Sequence, residues 1–180
     1  MGVGEAGRDV TFRPPDFLRT VILGNGGSGK SWLSEQLAGL VGAAVTDLDL
    51  IHWVPGGYDT RRDPATAVAM VRDLAAGDRW IIEGVYGWLA QEAIPRASAL
   101  IFLDIPDDQC VANVKSRGLR RGGDETALAD LVQWVSEYRV RRNANSFSAH
   151  EQLFETFARL KCRLKSREDM GALLRRLACG

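Results

Sequence analysis

The sequence predicts an α/β fold built on a parallel β-sheet, and three observations predict it. Short apolar, β-branched runs alternate with segments of helical length. The first run closes abruptly in a glycine-rich loop, and the runs at 43–46, 80–82 and 99–103 each give way to an acidic residue. Strands separated by helices are βαβ units, and parallel sheets of this kind gather ligands beyond the carboxyl ends of their strands. The 180 residues amount to about one domain. At this length roughly 70% of the unfolded surface can be buried without a disulfide or metal staple.

The elements follow in order. Residues 1–16 read as a mobile tail that Pro14-Pro15 sets apart from the domain, 17–180. Thr20-Val21-Ile22-Leu23 is the first strand, and Lys30 to Leu40 a helix with apolar residues at 33, 37, 40 and 41. Ala43 to Thr46 is the second strand. Asp63 caps a helix that Pro64 opens and that runs to about Ala76. Trp80 to Gly84 and Ala99 to Leu103 are the third and fourth strands, and Asp107 caps a helix to about Arg117. An Arg-rich, Gly-containing stretch, 118–124, leads into a long helix from about Glu125 to Asn143. Residues 157–164 form a fifth strand, and Ser166-Arg167-Glu168-Asp169 caps the last helix.

Composition excludes several classes. Hydrophobic residues make up 46% and charged residues 26%, which argues against disorder, and 23 basic residues balance 23 acidic ones. That neutrality removes the global footprint of a nucleic-acid binder. The charge is uneven, however: 9 basic and 15 acidic side chains in 1–110, against 12 and 6 in 111–167. Cys110, Cys162 and Cys179 form no CxxC pair and have no histidine near them in sequence, so neither a zinc site nor a disulfide framework is indicated. The first residues do not read as a signal peptide and no run is long enough to span a membrane. The expectation is a cytoplasmic protein, monomer or homodimer.

Gly24-Asn25-Gly26-Gly27-Ser28-Gly29-Lys30-Ser31 fits the pattern GxxxxGK[ST]. Glycines let successive backbone N–H groups curl around phosphates, and the following helix offers its positive N-terminus to the same anion. Lys30 suits the β- and γ-phosphates of ATP and the Ser31 hydroxyl suits Mg²⁺. The same stretch satisfies GxGxxG, with Asp47 and Asp49 about 20 residues on, where a dinucleotide fold wants a ribose-binding acid. Lys30-Ser31 decides between the two, because only the phosphate loop has a use for that lysine.

The strand-end acids are the next candidates. Asp47 and Asp49 can divide metal orientation and proton acceptance between them. Alternation at a strand end points them to opposite sides, so either can instead be a capping acid. Glu83 follows a nearly apolar strand and reads as a contact to acceptor or to Mg²⁺ through water, with a structural salt bridge as the other reading. Asp104 resembles a Walker-B acid, or a helix cap. Arg117, Arg120 and Arg121 read as a lid closing over the transferring phosphoryl group, and Arg139 and Arg142 as further arms on the long helix. Trp53, Tyr58, Tyr86 and Trp88 flank the acids in sequence, either as an acceptor pocket or as sheet-edge packing.

With GNGGSGKS, TDLDLIHWVPGGY, WIIEGVY, IFLDIP, the Arg-rich stretch and RLKCRLKS together, the chain from about Thr20 to Leu177 resembles the adenylate-kinase-related P-loop kinases. Within them it is most similar to the small bacterial topology modulation (FlaR-like) branch. The resemblance implies a three-layer P-loop NTPase fold, with a five-stranded parallel sheet of order 2-3-1-4-5, helices on both faces and a short lid at about 118–126. It implies Mg²⁺-ATP-dependent phosphoryl transfer to a small acceptor. By that likeness Gly24 to Ser31 with Trp32 hold ATP, Lys30 and Asp49 serve catalysis with Arg117 and Arg121 from the lid, and Ser166-Arg167 lie near the adenine. Ser31 would meet Mg²⁺, with Asp47 and Glu83 through water. Asp49, Trp53, Glu83, Tyr86 and Arg139 would face the acceptor. Relatives often carry an Arg where this chain has Asn113, which thins the cationic clamp on ATP. No Arg follows Asp49 closely, which weakens a nucleoside monophosphate as acceptor and admits a neutral hydroxyl compound, while Arg61 and Arg62 can still serve a phosphorylated acceptor. Two other classes stand beside this one: an ATP-binding regulator or DNA-associated protein without a small-molecule product, and a dinucleotide-binding oxidoreductase.

Overall fold

The computed structural model describes residues 12–56, 60–119 and 124–179. Five strands, β1 (Arg19–Gly24), β2 (Ala44–Asp47), β3 (Trp80–Gly84), β4 (Ala99–Leu103) and β5 (Leu160–Leu164), form one sheet in the order β2-β3-β1-β4-β5. Every pairing is parallel, with Ile22 opposite both Glu83 and Ile101. β3 rather than β2 lies beside β1, so the sheet does not have the 3-2-1-4-5-6 order of the dinucleotide-binding fold.

Eight α-helices cover the sheet among the described residues: α1 (Lys30–Val41), α2 (Leu48–His52), α3 (Pro64–Ala75), α4 (Gly87–Ala93), α5 (Asp107–Arg117), α6 (Glu125–Ser136), α7 (Phe147–Thr156) and α8 (Arg167–Ala178). The alternation of strand side chains sorts them onto two faces. Val21, Leu23, Ile82, Leu100 and Phe102 meet α2, α3, α4 and α7 through residues such as Leu48, Val71, Leu89 and Phe154. Ile22, Ile81, Ile101 and Leu103 meet α1, α5 and α8 through Leu33, Leu37, Val114 and Leu173. The central strands are apolar on both sides because both faces are covered.

The helix starts follow their capping residues. Asp63, Asp124, Ser146 and Ser166 accept from Thr66, Ala127, Ala149 and Asp169 backbone N–H groups, each satisfying an amide the helix leaves over. Four expectations are corrected. The cap of α5 is Pro106, and Asp107 is its first helical residue. β5 begins at Leu160, not 157. The long helix stops at Ser136, and α7 follows after a ten-residue connection, 137–146. Two further helices, α2 and α4, occupy stretches for which no helix was expected.

At the N-terminal side, Pro14–Phe17 forms a short 3-10 turn, Phe17 is fully buried and Phe12 meets its ring edge-on at 5.8 Å. The boundary expected between residues 16 and 17 falls within this turn. Most of the expected tail, Tyr58, Arg120 and Arg121 lie outside the described residues.

Candidate functional site

The glycine-rich loop joins β1 to α1 and lines a cleft of about 1370 Å³ at the carboxyl edge of the sheet. Gly27 and Gly29 sit at φ +76° and +96°, where a side chain is strained, and a Cβ on Gly27 would fall inside contact distance of the Cys110 carbonyl on α5. Asn25 fastens the loop from within. Its side-chain oxygen accepts from Gly26 N–H at 2.8 Å, and its amide donates to the Val135 carbonyl at 2.8 Å near the end of α6. Asn113 on α5 donates to the Gly27 carbonyl at 2.9 Å. Thus Asn113 holds the loop itself.

Lys30 is largely buried, and its Nζ donates to the Asn25 carbonyl at 2.7 Å. The buried Ser28 hydroxyl has no hydrogen-bond partner among the described residues. A cradle too tight for a Cβ, a lysine bent over it and an unmatched hydroxyl are features that suit a polyphosphate.

β2 and β3 lie side by side with Asp47 opposite Glu83. The Ser31 hydroxyl donates to Glu83 Oε1 at 2.6 Å. Glu83 is 2% exposed, and burial pushes its carboxyl above the usual carboxylate range. Lys30 and the Ser31 hydrogen bond oppose that rise, while Asp47 and Asp49 add to it. Asp47 accepts from Asp49 N–H at 2.8 Å and caps α2, so its expected capping role is present alongside its place on the cleft. Asp49 also lines the cleft. Asp104, the other acid considered, does not. It is paired with Arg139 at 2.6 Å and Arg163 at 3.6 Å, and Glu83 takes the position beside the phosphate loop instead.

Beyond the acids, four rings interlock. His52 stacks on Tyr86 with centroids 4.1 Å apart and meets Trp53 and Trp88 edge-on at 4.7 and 5.9 Å. The Trp53 indole N–H donates to the Tyr86 hydroxyl at 2.8 Å. Burial, with the Arg61 charge nearby, lowers the pKa of His52, so the ring is neutral near pH 7. Arg62 is taken up by the carbonyls of Ile51 (2.8 Å) and Trp53 (3.4 Å), where it closes the end of α2. Behind this wall the fully buried His150 touches the Val85 carbonyl through Nε2 at 2.9 Å and the Tyr138 hydroxyl through Nδ1 at 2.6 Å. Because a carbonyl only accepts, Nε2 carries the proton and Tyr138 donates to Nδ1. Burial pushes the His150 pKa down to about 3.

The basic residues divide. Arg61, Arg62, Arg117 and Arg167 line the cleft, and Arg167 lies 3.2 Å from the Trp32 ring centroid. Ser166 serves as the cap of α8 and is not part of the lining. Arg139 is corrected outright: it faces Asp104 and Asp107 over the Phe147 ring, not the cleft, because the helix expected to carry it ends at Ser136. Arg141 donates to the Trp134 and Asn145 carbonyls, and Arg163 pairs with Glu151 and Glu155, so much of the basic excess after residue 111 is spent internally. Reading the sequence missed His52, Asn145 and Trp134 on the cleft. His52 alone carried a signal, standing between Asp49 and Trp53 in one short block.

No family model matches the chain. "Uncharacterized protein YqaC" of Bacillus subtilis (strain 168) is 26% identical over 158 residues, 82% of this chain and 86% of that protein. A shikimate kinase from Bacteroides thetaiotaomicron superposes with a TM-score of 0.54 at 18% identity, over 88% of this chain and 95% of the other. A shikimate kinase from Acinetobacter baumannii, solved with shikimate, gives 0.53 at 15% identity over 89% and 91%. At such identities the likeness is one of fold. The chain has the three-layer P-loop fold these kinases share, with a five-stranded parallel sheet and helices on both faces. Among the described residues no helix is long and apolar enough to cross a membrane.

Proposed function

We propose that this chain is an ATP-dependent phosphotransferase that moves the γ-phosphoryl group to a hydroxyl of a small acceptor. The observation that carries the reading is the Ser31–Glu83 hydrogen bond beside the Lys30–Asn25 bond, in one cleft with Asp49. A serine hydroxyl whose proton is committed to a carboxylate keeps its oxygen lone pairs for a divalent cation.

Bound Mg²⁺-ATP would supply the phosphoryl group and ADP as leaving group. In the transfer, the acceptor oxygen forms a bond to the γ-phosphorus as the β–γ bridging P–O bond breaks. The bridging electron pair leaves with ADP and the hydroxyl proton goes to a carboxylate, for which Asp49 is our assignment. Lys30 holds phosphate oxygens, the loop from Gly24 to Ser31 with Trp32 binds the nucleotide, and Asp47 and Glu83 orient the metal through water. Arg117 would cover the phosphates and Arg167 would flank the base. The DLDLIHWVPGGY and WIIEGVY blocks support the narrower affinity to the topology modulation branch.

The test is ADP release from Mg²⁺-ATP across a panel of alcohols. Lys30→Ala is expected to abolish it while thermal unfolding stays cooperative. Full turnover by that variant overturns the reading.

A further inference from the structure

The side of the cleft beyond Asp49 is walled by four rings, of which Trp53 and Tyr86 turn their polar tips on one another, while His52 Nδ1 is buried without a hydrogen-bond partner among the described residues. Trp53 N–H meets the Tyr86 hydroxyl, the neutral His52 ring stacks on Tyr86, and Trp88 closes the edge. Arg62 is occupied by main-chain carbonyls, and Arg61 lies over the Trp53 ring at 5.8 Å. All four rings are buried or half-buried yet line the cleft.

Such a wall is a poor host for a polyol. Each hydroxyl of a sugar acid or cyclitol pressed against it loses water and needs a partner, and an unpartnered buried hydroxyl is penalised. A flat unsaturated ring meets the opposite situation. It gives up weakly held water, covers apolar area and gains stacking or edge-to-face contacts with rings already fixed in place. We infer that the acceptor is an alcohol carried on a flat aromatic or heteroaromatic ring, and that His52, Trp53, Tyr86 and Trp88 select it over saturated polyols and hydroxy acids. The inference deepens the phosphotransferase reading and rests on it for the role of the ring as acceptor. The recognition itself is a binding property and is measured without turnover.

The experiment is isothermal titration of the wild-type chain with two probe sets. One holds hydroxymethylpyridines, benzyl alcohols and nucleosides; the other holds inositol, gluconate and shikimate. At least one ring alcohol is expected to bind about tenfold more tightly than every polyol, the scale of discrimination a shaped apolar pocket provides. Trp53→Ala is expected to lose that margin and Trp53→Phe to recover most of it, with circular dichroism reporting that both remain folded. Quenching of tryptophan fluorescence by the ring alcohol reads the same contact in the unmutated protein. Preferential binding of a polyol, absence of binding by every ring alcohol, or a folded Trp53→Ala with undiminished ring affinity each overturns the inference. Ring alcohols that bind with this pattern but never stimulate ADP release uphold the ring-selective wall and fail the phosphotransferase reading instead.

Discussion

Asn113 on α5 donates its side-chain amide to the carbonyl of Gly27 at 2.9 Å, across 86 residues of sequence. The peptide that follows is held at its other end as well, by Ser28 N–H on the Asn25 carbonyl at 3.3 Å. Both ends of that peptide are thus held by the protein's own groups. Removing one neutral hydrogen bond costs about 1 kcal/mol, so Asn113→Ala should raise the apparent KM for ATP about fivefold. Steady-state kinetics at saturating acceptor measure it, and an unchanged KM would mean the loop does not depend on this clamp.

Glu83 makes the folded chain resist pH in an unusual direction. Burial raises its carboxyl, so the stability it contributes is full below the unfolded value of 4.5 and is lost as pH rises through the raised folded value. As pH rises from the acid side, the buried carboxyl, next to Asp47 and Asp49, therefore contributes less stability. Glu83→Gln should then raise Tm at neutral pH by about 2–4 °C, the shift that about 1 kcal/mol gives at this chain length, while weakening the Mg²⁺ dependence of ADP release. Calorimetry and a Mg²⁺ titration test the two halves separately.

His150 acts with the opposite sign. The unfolded ring takes up a proton near 6.5, whereas the folded one resists until about 3, so stability present above pH 6.5 drains away as pH falls. The slope can reach about 1.4 kcal/mol per pH unit. His150→Gln should be less stable than the wild type at pH 7.5, with the gap narrowing towards pH 5. A gap in Tm that stays constant across this range would contradict the neutral, doubly bonded ring.

Arg139 offers a contrast between structure and sequence. Its guanidinium is partly exposed and faces two carboxylates, so Arg139→Ala should cost about 1 kcal/mol or less of stability and leave the KM for acceptor unaltered. A rise in that KM with unchanged Tm would return Arg139 to the cleft.

The parts legible in the sequence were those with local signatures. The phosphate loop is a contiguous motif, the strands are apolar runs, and Asp63 and Ser166 cap their helices where they stand. What escaped depends on contacts distant in sequence. Leu128, Leu131, Val132 and Val135 set a helical rhythm that Tyr138 continues, yet Tyr138 leaves the helix to meet His150 in the core. α2 is five residues long, too short for any periodicity to show. Asp104 and Glu83 look alike as acids after apolar strands; only the sheet order, which puts β3 beside β1 and β5 beside β4, sends one to Ser31 and the other to Arg163.

That order has a consequence for how such a cleft can diversify. Glu83 touches the serine of the phosphate loop, and Val85 and Tyr86 reach the ring wall within three residues of it on the same strand end. Variation there disturbs both substrates together. α2 carries His52 and leads directly into Trp53. A lineage exploring new acceptors can vary His52 and Trp53, while Asp49, the core residues Leu48 and Ile51 and the strand end stay under constraint.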